Sequence, residues 1–390
     1  MKKLRSVAAL CLALIMALSM TACSSQETSE TTAAAETTAA ETTAAAEETT
    51  AAAEETTAAE GETEAADGTE AAATGDWPTG QGYVIGFSNS FNGNSYRQSM
   101  EAYLQQAADE LIATGTIKEV IFAESNQNNS TQVQQIENFI IQGVDAIIID
   151  PGSASALDGA IQEASDAGIP CIIINDGPVT STADLCYQIN FDLTEMTKTL
   201  TEYVCEQMGG EGNLIELRGT AGTESDRQMH EGVLQGLESY PDVTVVAEIY
   251  TDWTGSKAQS ELASVLPTLD EVDGVVTQGG DSYAAVQAFQ TAGRDIPVIA
   301  GDNRGYFLKW WANEAPEGYD TLSASSNTWT GAAGIYVAVD ILDGVDVPKE
   351  MTHPIAYVTK DDVQNYADMD DEGIGCPTYD RAWVAENLYQ

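Results

Sequence analysis

Between residues 83 and 301 short apolar runs alternate with longer stretches of helical periodicity, and this alternation leaves few folds open. Runs at 83–87, 120–123, 146–150 and 171–175 read as strands. Between the first two, Tyr96, Met100, Tyr103, Leu104, Ala107, Ala108 and Leu111 recur at three- and four-residue steps, the spacing of one helix face. A second series repeats the order, with strands at 213–217, 243–250, 274–277 and 297–301 and helices near 227–238, 256–266 and 284–292. Continuous apolar strands joined by helices of this length predict parallel sheets covered on both faces, with right-handed crossovers. Two such series predict an α/β chain of two doubly wound lobes.

The N-terminal region follows other rules. Lys2, Lys3 and Arg5 precede an apolar run over 7–20, and the small residues Thr21 and Ala22 precede Cys23. The run is too short for a membrane-spanning helix. Its ending, Met-Thr-Ala-Cys, resembles the lipobox of bacterial lipoproteins, which implies a signal peptide over 1–23 and lipidation of Cys23. From Ser24 to Gly75 the chain is almost wholly Ala, Thr, Glu and Ser, without an aromatic residue. Such a segment has too little to bury to offset the entropy of ordering, so 24–79 is expected to be a disordered tether. A flexible coil of roughly fifty residues reaches about 40 Å.

Charge narrows the partners. The whole chain holds 62 acidic and 15 basic residues. Setting aside the 14 acids of residues 24–79 and the three cations of the leader leaves 48 acids against 12 bases, a charge of −36. That balance opposes nucleic acid or an anionic membrane surface as partner. Cys171, Cys186, Cys205 and Cys376 lack CxxC spacing and a nearby His pair, so no zinc site is expected, and their pairing is open. Cys171 falls inside a strand run, where it reads as a buried small hydrophobe.

In an open parallel sheet, ligands bind beyond the carboxyl ends of the strands. Reading past each strand gives Ser88 and Asn89, Asn126, Asp150, then Asn175 and Asp176. In the second series it gives Arg218 with Arg227 further on, Asp252 and Trp253, Gln278 and Asp281, and Asp302 with Asn303. Carboxylates, amides, one or two arginines and an aromatic plate suit a sugar. Vicinal hydroxyls donate to a carboxylate and accept from a guanidinium or amide, and the C–H face of the ring packs on an aromatic side chain.

The stretches IGFSNSFNGNSYRQSM, GVDAIIIDPGSASAL, AGIPCIIINDGP, RGTAGTESDRQMHEG, VTQGGDSYAAVQAFQTAG and IPVIAGDN together resemble the ribose- and galactose-type periplasmic binding proteins, type I solute-binding components of ABC sugar importers. The resemblance covers roughly residues 82–345. It implies two Rossmann-like lobes joined by three hinge crossings, 80–188 with 326–355 forming the N-terminal lobe and 189–325 with 356–390 the C-terminal one. It also implies a ligand held between them. Asp176 matches the carboxylate after the fourth strand, Arg227 the arginine of the second lobe, and Asp302 that lobe's carboxylate. Trp253 falls where the family places an aromatic plate, and Ser325 where ribose binders have a hinge-side amide. In the first loop Asn94, Tyr96 and Arg97 stand where ribose binders offer paired phenylalanines, which looks more like the galactofuranose-type branch. Gln278 and Asp281 compete for one amide position, and Ser88 and Asn190 complete the candidate set.

Other signals point away from chemistry. The acidic run 368–373 resembles the start of a calcium loop, but its twelfth position is Tyr379 rather than Glu, so it reads as a solvated acidic turn. His230 and His353 stand far apart without a nucleophile pattern, and Trp310 and Trp311 read as packed against their lobe. The leading expectation is a non-enzymatic, lipid-anchored, monomeric receptor with no cofactor and no metal, which delivers a monosaccharide to a membrane permease. A sensor that presents its sugar to a receptor kinase is the alternative. A surface glycoside hydrolase would need two cleft carboxylates about 5–10 Å apart.

Overall fold

The computed structural model describes residues 82–175 and 178–390. Cys23, the expected tether and Asp176 lie outside the described residues. The first series runs β1 (Tyr83–Asn89), α1 (Ser95–Ala113), β2 (Ile117–Glu124), α2 (Asn129–Gln142), β3 (Ala146–Asp150), α3 (Asp158–Asp166), β4 (Cys171–Ile174) and β5 (Cys186–Asn190). The second runs α4 (Leu193–Gln207), β6 (Glu211–Arg218), α5 (Glu224–Leu237), β7 (Asp242–Tyr250), α6 (Gly255–Val265), β8 (Gly274–Thr277), α7 (Ser282–Ala292), β9 (Val298–Ile299) and α8 (Gly305–Asn313). β10 (Ser323–Ser325), α9 (Thr330–Leu342), β11 (Glu350–Thr352), β12 (Ala356–Val358) and α10 (Arg381–Asn387) follow.

Among the described residues one sheet has the order β11-β5-β4-β3-β1-β2, with every pairing parallel. A second has the order β7-β6-β8-β9, again parallel. In both, the first strand of the series lies between its second and third, so strand order reverses there and opens a crevice at the carboxyl ends. β10 and β12 pair antiparallel and join the second sheet through a bridge between Gly301 and Ser323.

The apolar strands are buried on both faces because helices cover both. Ile148 of β3 points into a core shared with Met100 and Leu104 of α1 and Val337 of α9. Its neighbours Ile147 and Ile149 point the other way, toward Ile136 and Phe139 of α2 and Ile161 of α3. α9 is buried from Thr330 through Asp340, without the polar stripe of a surface helix. It lies close on α1: a Cβ on Gly331 would stand 2.1 Å from the Met100 carbonyl oxygen. In the second lobe Trp310 and Trp311 are buried with Phe307, Ile215 and Leu217.

The chain passes between lobes at 190–193, 325–330 and 352–356, and once more near 375–380. The last passage corrects the expected boundary of the C-terminal lobe. Val363 does pack in the second lobe, but Val384 and Leu388 of α10 join the core of the first. The cause is electrostatic. Asp340 is buried on the apolar α9, and Arg381 of α10 supplies its counter-charge, with Tyr389 donating to the other oxygen at 2.6 Å. Removing one partner of such a buried pair typically costs about 3–5 kcal/mol.

The acidic run 368–373 acts as a cap. The amides of Gly305 and Tyr306, at the start of α8, donate to the carbonyls of Gly373 and Asp371, and Lys309 pairs with Asp371 at 2.6 Å. Cys171, Cys186, Cys205 and Cys376 form no disulfide, and Cys171 and Cys186 sit opposite each other on β4 and β5.

Candidate functional site

The carboxyl ends of both sheets face a cavity of about 400 Å³. From the first lobe it is lined by Ser90 and Phe91 after β1, Gln127 after β2, Gly152 after β3, Asn175 after β4, and Asn94, Tyr96 and Arg97 at the start of α1. From the second come Thr220 and Thr223 between β6 and α5, Ser225 in the first turn of α5, Asp252 and Trp253 after β7, Gln278 after β8, and Asp302 and Arg304 after β9. Ser325 and Ser326, at a crossing, close one side. A more open hollow of about 370 Å³ shares Asn94, Trp253 and Arg304 with it and includes Glu372.

The first-lobe wall is one hydrogen-bonded network. Arg97, buried at the start of α1, forms an ion pair with the fully buried Asp150 at the end of β3. Burial pulls the Arg97 guanidinium down to about 10, which still leaves it a cation at neutral pH. Asn175 donates to Asp150 at 3.3 Å and accepts from the Tyr96 hydroxyl at 2.8 Å. That hydroxyl accepts from Ser326 at 2.9 Å, so the network reaches the crossing. Burial pushes the Tyr96 phenol above its ordinary value, which keeps it a neutral donor. Asn94 caps α1 by accepting from the Arg97 amide at 2.9 Å.

Backbone strain collects at the same place. Among the described residues, the non-glycine residues with left-handed φ are Asn126, Gln127, Asn175, Asp252 and Trp253, all directly after strands. All but Asn126 line the cavity. Asn and Asp adopt this conformation readily, whereas for Gln and Trp it is uncommon and costs energy. Trp253 is held by more than its backbone: a Cβ on Gly219 would meet the indole at 2.1 Å, so only glycine lets the ring lie flat on that loop.

The candidate residues divide. Asn94, Tyr96, Arg97, Trp253, Gln278, Asp302 and Ser325 line the cavity. Gln278 also has an internal task, accepting from the Gly219 amide at 2.8 Å and donating to the Asp226 carbonyl at 3.3 Å. Asp302 accepts from the Ser282 hydroxyl at 2.8 Å and the Arg304 amide at 3.0 Å, which holds its carboxylate at the cavity edge.

Four candidates lie elsewhere. Arg227 is exposed and pairs with Glu224 one turn back, while its neighbour Asp226 points inward to a two-pronged pair with Arg218. A step of one residue turns a helix by about 100°, so the inward face of α5 belongs to Ser225, Asp226 and Met229. The cavity takes its second guanidinium from Arg304 instead. Ser88 is fully buried and donates to Gln135 at 2.8 Å, because β1 runs two residues beyond its expected end. Asn190, at the end of β5, donates to Glu350 at 3.1 Å. Asp281 is buried behind the cavity against Thr251, at 2.5 Å.

Sequence reading passed over Ser90, Phe91, Gln127, Ser326 and Arg304. Asn175 and Asp252 stood at strand ends and were visible by the strand-end rule. Arg304, two residues past Asp302, was open to the same rule read a little further.

A scan of family models matches a periplasmic binding protein domain to residues 85–346, so the chain belongs to the periplasmic binding protein family. It is 29% identical to a xylitol-binding protein of Mycolicibacterium smegmatis, over 63% of this chain and 70% of that protein. To the ribose import binding protein of Bacillus subtilis it is 22% identical, over 71% and 88%. The crystal structure of an ABC transporter solute binding protein from Thermobispora bispora superposes with a TM-score of 0.72 at 31% identity, over 78% of this chain and 94% of that one. One from Bacillus halodurans with bound myo-inositol gives 0.65 at 25% identity, over 74% and 98%.

Asp281 and Gly219 each generate a prediction. Burial, reinforced by the nearby Asp302 carboxylate, pushes the Asp281 carboxyl well above the usual range. The geometry agrees: the Thr251 hydroxyl has one hydrogen but faces both the Arg218 carbonyl at 2.9 Å and Asp281, so a protonated Asp281 supplies the second. The native state then keeps a proton that the unfolded chain releases above about pH 4, so this contribution is full below that pH and is lost as pH rises through the native value. Asp281→Asn should flatten that loss. In urea titrations at pH 4 to 7, its unfolding free energy should fall less with rising pH than that of the parent; an equal or steeper fall would contradict the assignment.

Gly219→Ala should push the Trp253 indole off its seat, shifting its indole N–H resonance and costing about 1–3 kcal/mol of stability from overpacking. An unmoved resonance would mean that the ring is not pinned there.

Proposed function

We propose that this protein is an extracytoplasmic receptor that captures a monosaccharide between its lobes and delivers it to the permease of an ABC importer, without performing chemistry on it. The cavity carries the reading. In its described lining Arg97 is paired with Asp150 and Asp252 with Lys257, which leaves Arg304 against Asp302, among hydroxyls and amides and beside Trp253 and Phe91. That combination suits an uncharged polyhydroxylated ring better than a sugar acid or an amine. The import and polyol-binding names of its relatives support it. Asp176, beside the lining residue Asn175, is proposed as a further carboxylate for the ligand hydroxyls. Capture entails closure of the lobes, since the two walls belong to different lobes.

Calorimetric titration with pentoses, hexoses, xylitol and myo-inositol, against gluconate and glucosamine, tests this. One or more neutral compounds should bind and the charged ones should not. Trp253→Ala and Asp176→Ala should each weaken the best ligand tenfold to hundredfold, a loss of about 1.4–2.7 kcal/mol. Parent-like affinity in both folded variants would overturn the site.

We further propose that Cys23 carries the lipid that holds the receptor at the membrane. Cys23→Ser should release the protein into the soluble fraction with ligand affinity unchanged. A variant that stays with membranes after a high-salt wash would refute the anchor.

A further inference from the structure

His353 lies between β11 and β12, on one of the passages between lobes, and it is completely buried. Its imidazole is surrounded by rings from the other three. Phe191, from the passage at 190–193, stands 5.3 Å away centroid to centroid, and Trp329, from the passage at 325–330, 6.1 Å away. Tyr379 and Trp383, where the chain returns for α10, stand at 6.0 and 5.5 Å and stack on each other at 3.7 Å. Trp329 meets both of them edge-on.

The backbone ties the same passages together. The His353 amide donates to the Asn190 carbonyl at 2.8 Å, joining the first passage to the third. The Asn327 side chain donates to the Pro377 carbonyl at 2.9 Å, joining the second to the last. The His353 Nδ1 faces the carbonyl of Pro354 at 3.1 Å and donates to it, whereas Nε2, also buried, has no hydrogen-bond partner among the described residues. Burial pulls the pKa of the ring down to about 4, so it is neutral at physiological pH.

None of these rings lines the cavity, yet any rotation of one lobe against the other must bend all four passages. We propose that His353 is a positioning residue for capture: it is the common pivot on which the rings of the four passages turn, and it sets the equilibrium between open and closed lobes. A flat, neutral ring touching four others gives them one surface to slide over, and its uncommitted Nε2 can take a donor in one lobe arrangement and lack it in another. Ligand affinity then depends on His353 through the fraction of molecules able to close. This inference rests on the reading of the protein as a receptor that closes on its ligand.

The test uses the full chain with His353→Asn, and with Trp383→Phe as a milder change to the same cage. The distance between the lobes is read by paired spin labels on the exposed Glu119 and Ser260. Without ligand, the distribution of label distances in either folded variant should differ from the parent's. The dissociation constant for the best-binding neutral sugar should change at least threefold, tightening if the distribution shifts to shorter distances and weakening if it shifts to longer ones. A merely structural role predicts a lower melting temperature with an unchanged distribution and affinity, and that result overturns the proposal. If no sugar binds the parent, the receptor reading fails, whereas the ligand-free distances still decide whether His353 governs the hinge.

Discussion

The buried pair of Arg97 and Asp150 organises the first-lobe wall of the cleft. Asp150 ends β3, and four other segments meet it. Its carboxylate takes Arg97 from α1 and Asn175 from the loop after β4, while its carbonyl accepts from the Ser90 amide at 3.0 Å and from Gln132 of α2 at 2.8 Å. A carboxylate with no exposed surface cannot stand without such partners. Because the partners come from separate elements, satisfying the carboxylate aligns α1 with the end of β4, and satisfying the carbonyl brings the end of β1 and α2 to the same point. Arg97 is thereby held in one orientation at the cavity wall.

The second lobe meets the same difficulty by different means. Arg218, at the end of β6, binds Asp226 through two hydrogen bonds and lies 3.2 Å from Glu248, which keeps these charges off the cavity and fixes the start of α5. Asp281 sits buried close to Asp302, and burial with the nearby Asp302 carboxylate pushes the Asp281 carboxyl well above the usual range, while Asp302 is the member of the pair that lines the cavity. The left-handed turn at Asp252 and Trp253, with Gly219 under the indole, adds strain that the surrounding packing holds in place. Both walls are therefore held by paired charges and backbone strain, whereas the passages between lobes are held by aromatic packing. There the cage around His353 and the return of α10 onto α9 concentrate the aromatic contacts.

Much of this architecture was legible in the residues alone. Eight apolar runs with helical spacing between them predicted two parallel sheets, because period and burial are local properties that a few consecutive residues express. The strand-end rule then led to Asn175, Asp252, Trp253, Gln278 and Asp302, since polar residues in series past apolar strands have few other uses. The family likeness held over residues 85–346.

What the tertiary structure alone decided is which way each side chain faces and where distant segments dock. Whether Arg227 or Ser225 looks into the cleft depends on the phase of α5, which is set by the buried Arg218 and Asp226 pair and cannot be read from spacing near a helix start. Strands β5 and β11 are too short and mixed to announce themselves, and become strands because the β4 edge offers hydrogen bonds to β5 and β5 in turn offers them to β11. The C-terminal helix returns to the first lobe because Asp340 needs a counter-charge that only a residue 41 positions later provides. The layers, the lobes and the side of the sheets on which the cavity opens follow from local periodicity, which neighbouring residues express without the rest of the fold. Pairing of buried charges across long stretches of chain determined the exact lining, because those partners meet only when the fold is complete.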